Sequence, residues 1–350
     1  MPNVILENIS PDAYLQKIAA VLLDCGADPA KLETAVTVMH TLFASLSGIR
    51  GAMQDTAERY ETSLAGGFAL SPGYAADCLL DTKRTVKYLR AVDLAVKQLL
   101  QEQPGRTVHI LYAGCGPFAP LVLPLTTCYT PGQIRITALD IHERALAALE
   151  KIVQAVDKQE YFRKLTACDA TSYSHTGAPF HILVTETMHQ ALSREPHVMI
   201  CRNLAPQLTE GGIMIPERVA LTACLSVEQE EMQYLANRLS GEEITAVRLN
   251  LGPVFEITKE KSYQVLEDGH ALQGARLRIP DHTGSRNLLV LLTEITLFGT
   301  LCLKERESGI TCPCYARDLE KWQPGDIIDF TFRIKENPRL EYKLCRELVL

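Results

Sequence analysis

Short apolar runs alternate with amphipathic stretches from Thr107 to Pro216, and this alternation limits the fold more than any other feature of the chain. The runs match buried strands in length and in β-branched content. We predict strands at Val108 to Tyr112, Ile134 to Leu139, Leu165 to Ala167, Phe180 to Val184 and Gly212 to Ile215. Helices are predicted between them, at His142 to Val156 and His197 to Leu204. Such an order predicts a mostly parallel sheet covered by helices.

The sequence before this segment has the pattern of helices. Ser10 and Asp28 are capping residues that each precede a proline, and they open apolar-periodic runs that reach Leu23 and about Leu46. Helical spacing resumes over residues 75 to 101 after a glycine-rich interruption. We therefore expect a helical region ahead of the sheet.

A β-rich pattern begins after Pro216. One helix is predicted at Glu228 to Leu239, and the remaining apolar runs are short and separated by Gly, Pro and Asn turns. The clearest of these runs are Leu288 to Thr293, Leu297 to Leu303 and Ile327 to Ile334. This pattern predicts a separate β domain, either a barrel or a sandwich.

The composition argues against several classes of partner. The 350 residues carry a formal net charge of −7 and no basic stripe that would follow phosphates, so we expect no nucleic-acid partner. No run approaches the ~20 apolar residues that cross a bilayer. The amino terminus also lacks the pattern of a signal peptide, so we expect no membrane partner and a cytoplasmic location. The 11 cysteines are expected to be reduced, and Cys312 and Cys314 lack the partner pair of a zinc site, so no metal is predicted.

Glycines and acids follow three successive predicted strands. The first strand ends in A-G-C-G-P, which places Gly114 and Gly116 where the backbone can approach a ligand closely. Asp140 follows the second strand, 26 residues after Gly114, and Asp169 follows the third. A carboxylate at position 140 can accept both hydroxyls of a ribose, and one at position 169 can accept an adenine amino group. Taken singly, each acid also fits a helix cap or a turn, and that alternative competes most seriously for Asp169.

This constellation resembles the class I S-adenosylmethionine-dependent methyltransferases. The resemblance implies a Rossmann-like domain and S-adenosyl-L-methionine as the cofactor. A nicotinamide cofactor fits less well, because the third glycine of the dinucleotide fingerprint is absent. The acid that usually precedes the glycines in methyltransferases is Tyr112 here, so we expect Tyr112 beside the methionine part of the cofactor.

The segment ahead of the glycines narrows the resemblance to the protein arginine methyltransferases. Residues 75 to 92 read AADCLLDTKRTVKYLRAV and resemble the family's HxxMLxDxxRTxxY helix, whose equivalent places are occupied by Cys78, Leu79, Asp81, Arg84, Thr85 and Tyr88. The arginine of this pattern binds the cofactor carboxylate in the family, a role that Arg84 can fill with its two-pronged donor geometry. A solvated helical arginine is the alternative.

Two glutamates follow the fourth strand in T-E-T-M-H-Q-A-L-S-R-E-P, residues 185 to 196. Glutamates at such a place are commonly solvated caps. The family, however, has S-E-x-M-G and a second glutamate nine residues after the first, and Glu186 and Glu195 have this spacing. The resemblance implies that both carboxylates hold the acceptor nitrogen and act in catalysis, with Met188 and His189 on the substrate side. His189 stands where the family has glycine, and a solvated role is the alternative for it.

The resemblance also predicts the domain organisation. We expect an N-terminal helical region over residues 1–74, a cofactor-binding Rossmann-like domain over 75–216 and a β-barrel-like domain over 217–350. The family inserts a helical dimerisation arm at the place of residues 226–240, so we expect a homodimer. The family's Thr-His-Trp loop is not recognisable, which favours a small-molecule substrate over a protein.

We therefore expect a metal-free N-methyltransferase of a small guanidine or amine, such as free arginine or a related amino acid. A guanidinium stays protonated and is a poor nucleophile, and two carboxylates can orient it and offset its charge. Two alternatives stay open. One is an enzyme of the same fold that uses the methionine part of S-adenosylmethionine and releases methylthioadenosine, and the other is a catalytically silent binding protein.

Overall fold

The computed structural model describes residues 9–52, 60–239, 246–263, 270–319 and 321–346. One continuous set of buried apolar side chains runs through the N-terminal helices, the central sheet and the β-rich part. The division into residues 1–74, 75–216 and 217–350 stays a prediction. Of the predicted helical region and arm, residues 1–8, 53–59 and 240 lie outside the described residues. No helix in the described ranges is long and apolar enough to cross a membrane.

Two capped helices open the chain, as predicted: α1 (Pro11–Leu23) and α2 (Pro29–Ser47). The side chains of Ser10 and Asp28 accept backbone N–H groups of the first turns, and each proline occupies the first helical position. Gly48 ends α2 with a left-handed backbone, φ 77°.

Two helices replace the single predicted helix over residues 75 to 101, and a short hairpin precedes them. The elements are β1 (Thr62–Leu64), β2 (Gly67–Ala69), α3 (Pro72–Cys78) and α4 (Thr82–Glu102). Asp81 has non-helical backbone angles, and its side chain accepts the N–H of Arg84, so it caps α4 and separates the helices. The prediction of uninterrupted helix is therefore wrong at residues 79 to 81.

The central sheet has five strands, all parallel, as predicted. The strands are β3 (Val108–Ala113), β4 (Ile134–Asp140), β5 (Phe162–Ala167), β6 (Phe180–Thr185) and β7 (Leu208–Ile215). Helix α5 (Glu143–Ala155) follows β4, and α6 (His197–Leu204) lies between β6 and β7. The spatial order is β5-β4-β3-β6-β7, so the chain reverses direction across the sheet between β3 and β6. Ligands of open α/β sheets bind at the carboxyl ends of the strands at such a point.

The β-rich part follows, with the predicted helix α7 at its start. Its elements are β8 (Arg218–Ser226), α7 (Glu228–Leu239), β9 (Leu249–Thr258), β10 (Ala271–Arg278), β11 (Leu288–Phe298), β12 (Leu301–Leu303), β13 (Cys314–Ala316), β14 (Ile327–Arg333) and β15 (Arg339–Cys345).

These strands form two antiparallel sheets, of five and three strands. One has the order β12-β11-β8-β9 with β13 paired to β11, and the other has the order β10-β14-β15. The rings of Phe255 in β9 and Phe332 in β14 stack with centroids 4.5 Å apart and join the sheets. The boundary predicted after Thr293 is wrong, because β11 continues to Phe298 and then pairs with β12 as a hairpin.

Candidate active site

The carboxyl ends of β3, β4 and β6 open into a cleft of about 1010 Å³, including its mouth. Nine of the ten predicted site residues line it: Arg84, Tyr112, Gly114, Gly116, Asp140, Asp169, Glu186, Met188 and Glu195. His189 is the tenth and does not line it. The sheet topology therefore gathers residues that are up to 111 positions apart in the sequence, from Arg84 to Glu195.

The glycine turn after β3 packs closely against the glutamate loop, which we define as residues 186–195. Gly114 and Gly116 both have left-handed backbones, with φ 73° and 60°. A Cβ on Gly114 would lie 2.3 Å from the Cγ2 atom of Thr187. Glycine at position 114 is thus needed for the close approach of the loop that carries the first glutamate.

Asp140 is fixed by backbone donors at the end of β4. The N–H groups of Gly116 and His142 donate to its two carboxylate oxygens, each at 2.9 Å. Burial raises the pKa of Asp140, and these two N–H donors counteract part of the rise. Each oxygen keeps a lone pair for a further donor, so the carboxylate is oriented and still able to bind ligand hydroxyls.

Asp169 makes the turn interaction that the sequence allowed, and its contact with an adenine amino group stays a prediction. Its Oδ1 atom accepts the backbone N–H and the hydroxyl of Thr171, at 2.8 and 2.7 Å, which is a turn interaction. The residue also lines the cleft. Because both of these hydrogen bonds use Oδ1, the turn leaves the other carboxylate oxygen outside them.

Arg84 is a buried arginine, not a solvated one, because only 8% of its surface is exposed. Its Nη2 atom donates to the carbonyl of Cys78 at 2.7 Å, and its Nη1 atom lies 3.4 Å from both carboxylate oxygens of Glu186. Burial lowers the pKa of Arg84, but Glu186, Cys78 and Asp81 together raise it by more, so the net shift is upward. The guanidinium therefore stays charged and holds the first glutamate in place.

The two glutamates lie where neither caps a helix. The N-cap of α6 is Pro196, without a side-chain hydrogen bond, so the cap interpretation fails for Glu195. Burial raises the pKa of Glu186 to about 7, while Arg84 lowers it. Burial, and next the charge of Glu186, raise the pKa of Glu195 to about 8. Both carboxylates are thus poised to ionise near neutral pH, where a bound cation would favour the charged forms.

The backbone of the glutamate loop is strained and held from both sides. Ala191, Leu192 and Arg194 have left-handed backbones, with φ of 52°, 57° and 67°. Such conformations cost of order 1–3 kcal/mol for residues with a side chain and persist only where the surroundings hold them. Here the Arg194 N–H donates to the carbonyl of Pro338, and the Arg194 carbonyl accepts the N–H of Phe68, both at 2.8 Å. The hairpin and the β14–β15 turn thereby fix the backbone next to Glu195.

Met188, Tyr112 and His189 differ in their relation to the cleft. Met188 is 2% exposed and lines it, and so does the buried Tyr112, whose pKa burial raises so that the phenol is neutral. His189 is exposed, with its Nδ1 atom 3.2 Å from the Ser193 hydroxyl. Although the residue is exposed, partial desolvation of its ring lowers the pKa of His189. Its assignment to substrate binding stays a prediction.

A contact from the β-rich part was not foreseen from the sequence. The Oδ2 atom of Asp81 accepts the Ser308 hydroxyl at 2.6 Å and the Gly309 N–H at 3.0 Å. The Gln190 side chain in the glutamate loop donates to the Gly309 carbonyl at 3.1 Å. Residues 308–309 therefore brace both the start of α4 and the glutamate loop. Their only sequence signal is the capping aspartate, since the partners are 227 positions apart.

The cleft is built to attract a cation. Its lining carries four carboxylates, on Asp140, Asp169, Glu186 and Glu195, against the guanidinium of Arg84. Within the described ranges, no group of three or more His, Cys, Asp or Glu side chains is placed to hold a metal ion. The arrangement can orient a positively charged group and accept protons from it near neutral pH.

Comparisons with known proteins support the fold. No protein-family model and no curated protein matches the sequence. Among solved structures, the chain is similar to Trypanosoma brucei PRMT1, described as an enzyme-prozyme heterotetrameric complex with AdoHcy. The TM-score is 0.50 at 13% identity, over 78% of this chain and 98% of that chain. The chain thus has a Rossmann-like methyltransferase fold followed by a β-rich domain.

Proposed function

We propose that the chain is an S-adenosylmethionine-dependent N-methyltransferase acting on a small guanidine or amine, such as free arginine or a related amino acid. One observation carries the proposal: Arg84, Glu186 and Glu195 meet beside the glycine turn at the reversal point of the sheet. The pKa values of all three residues are raised in the folded protein. In the described part of the chain, the carboxylates that line the cleft outnumber its one guanidinium.

The residues of the cleft suit the proposed cofactor part by part. Arg84 can hold its carboxylate, Asp140 its ribose hydroxyls and Asp169 its adenine amino group. The phenol oxygen of Tyr112 can accept from the amino group of the methionine part. The glycine turn keeps Cβ atoms away from the cleft. When bound, S-adenosylmethionine supplies a methyl group on a positively charged sulfur.

The two glutamates perform the acceptor side of the reaction. Glu186, held by Arg84, and Glu195, held by the strained loop, fix the acceptor nitrogen and offset its positive charge. Methylation of a protonated guanidine or amine releases one proton from the nitrogen. The pKa of Glu195 is about 8 in the unliganded protein, and a bound acceptor cation favours its ionised form, which can then accept this proton.

Product analysis by mass spectrometry tests the proposal. The protein is incubated with S-adenosylmethionine alone and then with arginine and a panel of guanidines and amines. We expect S-adenosylhomocysteine together with a methylated acceptor. Methylthioadenosine without an acceptor would instead support use of the methionine part. Binding of the cofactor without any product across the panel would indicate a silent binding protein.

We also propose a homodimer formed through α7. Glu231 anchors this helix to its own chain, because its buried carboxylate pairs with Arg248 in two N–H contacts, one of them at 2.8 Å. Met232 on the same helix is 52% exposed and offers apolar surface for a second copy. A monomeric mass in solution would contradict this part of the proposal.

A further inference from the structure

The β1–β2 hairpin connects the glutamate loop to the β-rich part. The Phe68 N–H donates to the Arg194 carbonyl at 2.8 Å, and the Glu336 N–H donates to the Ala65 carbonyl at 2.9 Å. The Arg194 guanidinium forms an ion pair with Glu61 at 2.7 Å, just before β1. The hairpin is therefore tied to Arg194, the neighbour of Glu195, by backbone and by charge.

The hairpin also reaches the cofactor side of the cleft. The carbonyl of Leu70 lies 3.0 Å from the Nε2 atom of His142, which follows β4 and Asp140. Leu64, Phe68 and Leu70 all line the cleft. The segment from 64 to 70 thus crosses from the end of β4 to the glutamate loop and gives the cleft an apolar wall.

One glycine makes this close fastening sterically feasible. Gly67 has φ 134°, and a Cβ at this position would lie 2.4 Å from the Arg194 carbonyl oxygen. Backbone atoms cannot move out of the way as a flexible side chain can, so any side chain here would push the hairpin away from the loop.

The charges on the cleft lining limit the acceptor further. Among the described residues that line the cleft, Arg84 carries the only guanidinium or ammonium group. If the cofactor carboxylate binds Arg84, an acceptor carboxylate would be enclosed without a cationic partner. Burying an unpaired charge is strongly unfavourable, by several kcal/mol per ion.

We propose that the β1–β2 hairpin closes the acceptor end of the cleft over a compact cation with an apolar tail and no carboxylate, such as an alkylguanidine. The proposal excludes an arginine within a peptide, because a closed hairpin would leave no path for the flanking backbone. The inference rests on the proposed methyl transfer and refines its substrate class. It places the decarboxylated form of an acceptor above the free amino acid.

Matched acceptors test the charge and the size separately. Butylguanidine and 4-guanidinobutanoate differ in a carboxylate, and an arginine tripeptide with neutral, blocked ends tests size alone. We expect kcat/KM for butylguanidine to exceed that for 4-guanidinobutanoate by at least about tenfold, a difference of ~1.4 kcal/mol. The tripeptide should not react with the natural protein. Equal rates for the two small guanidines, or turnover of the tripeptide, would overturn the inference.

A thiol-labelling experiment tests the enclosure without relying on turnover. Cys78 lines the cleft, and Cys128 is exposed elsewhere and serves as the internal reference. We expect Gly67→Ala to increase the labelling of Cys78 by a peptide-linked maleimide several-fold, with a smaller effect for N-ethylmaleimide. Gly177→Ala is the matched control, since Gly177 has φ 131° and nothing within 4 Å of an added Cβ. Glu61→Gln, which removes the ion pair without a backbone change, should act in the same direction if Gly67→Ala does not fold.

The outcomes of the two experiments separate the inference from the proposed function. Absence of methyl transfer to every acceptor, with size-selective labelling of Cys78, would refute the function and retain the enclosure. Equal labelling of Cys78 by the bulky reagent in the natural protein, Gly67→Ala and Glu61→Gln would refute the enclosure, whatever the activity.

Discussion

Replacing Glu195 with glutamine is expected to stabilise the unliganded protein, and to do so increasingly as the pH rises. Burial and the neighbouring charge of Glu186 raise the pKa of Glu195 from 4.5 to about 8 in the folded protein. Below pH 4.5 the group is neutral in both the folded and unfolded chain, so it adds no pH-dependent term. Between pH 4.5 and 8 the unfolded chain ionises and the folded protein does not, which progressively favours unfolding. Glutamine has nearly the same shape as glutamate and does not ionise, so the substitution removes this pH-dependent loss of stability.

The size of the effect follows from the same two pKa values. A difference of about 3.5 in pKa, at 1.36 kcal/mol for each pH unit, gives about 5 kcal/mol above pH 8. Unfolding of 350 residues at about 2.1 cal/mol/K per residue then converts this into a rise in Tm of roughly 7 °C at pH 9. At pH 5 the same reasoning gives about 1 °C or less.

Thermal melts at pH 5, 7 and 9 measure the prediction. The control is Glu210→Gln, which removes an exposed glutamate from β7. The Tm difference between Glu195→Gln and the natural protein should grow from pH 5 to pH 9, and that of the control should not. A constant difference, or one that falls with pH, would refute the assignment of Glu195 as a buried carboxylate that is held neutral.

Three further predictions concern the cofactor and the pH dependence. Arg84→Lys should raise the Kd for S-adenosylmethionine by about tenfold or more, because lysine lacks the planar fork of the guanidinium. Arg90 on the same helix donates to carbonyls outside the cleft, so Arg90→Lys should leave this Kd unchanged, and calorimetric titration compares the two variants. Gly114→Ala should abolish most turnover by displacing Thr187. Gly48 also has a left-handed backbone, φ 77°, but open space around it, so Gly48→Ala should lose only ~1–2 kcal/mol of stability to backbone strain, and equal activities of the two variants would contradict the loop contact. Turnover should rise with pH through about 7 to 8 as the two loop carboxylates ionise, and a flat kcat/KM profile there would contradict their role.

Local patterns in the sequence predict the elements that depend on local interactions. The capping pairs at Ser10 and Asp28 place the starts of α1 and α2, and hydrophobic alternation finds all five parallel strands. Gathering the acids at one edge follows from strand polarity, which is a consequence of the predicted parallel order. Nine of the ten predicted site residues meet in the cleft, and Arg84 reaches it from α4 and not from a strand end.

Local sequence patterns do not predict long-range contacts or very short elements. The strands of the β1–β2 hairpin have three residues each, too few for an alternation to be seen. The bond from Ser308 to Asp81 joins residues 227 positions apart, and no periodicity reports such a pair. Asp81 lies between two helices and caps the second, although the apolar spacing on both sides of it predicts a continuous helix. His189 does not line the cleft, and the left-handed backbone that follows it in the loop has no signal in the sequence.

Single-turnover transfer from methyl-labelled S-adenosylmethionine in Glu186→Gln tests the central claim most directly. Glutamine retains an oxygen for the Arg84 contact and removes the charge that holds the acceptor cation. We expect the rate constant for methyl transfer to fall by about 10²- to 10³-fold, with the Kd of the cofactor unchanged within about twofold. An undiminished rate constant, or equal losses of rate and cofactor affinity, would contradict the clamp of Glu186 and Glu195.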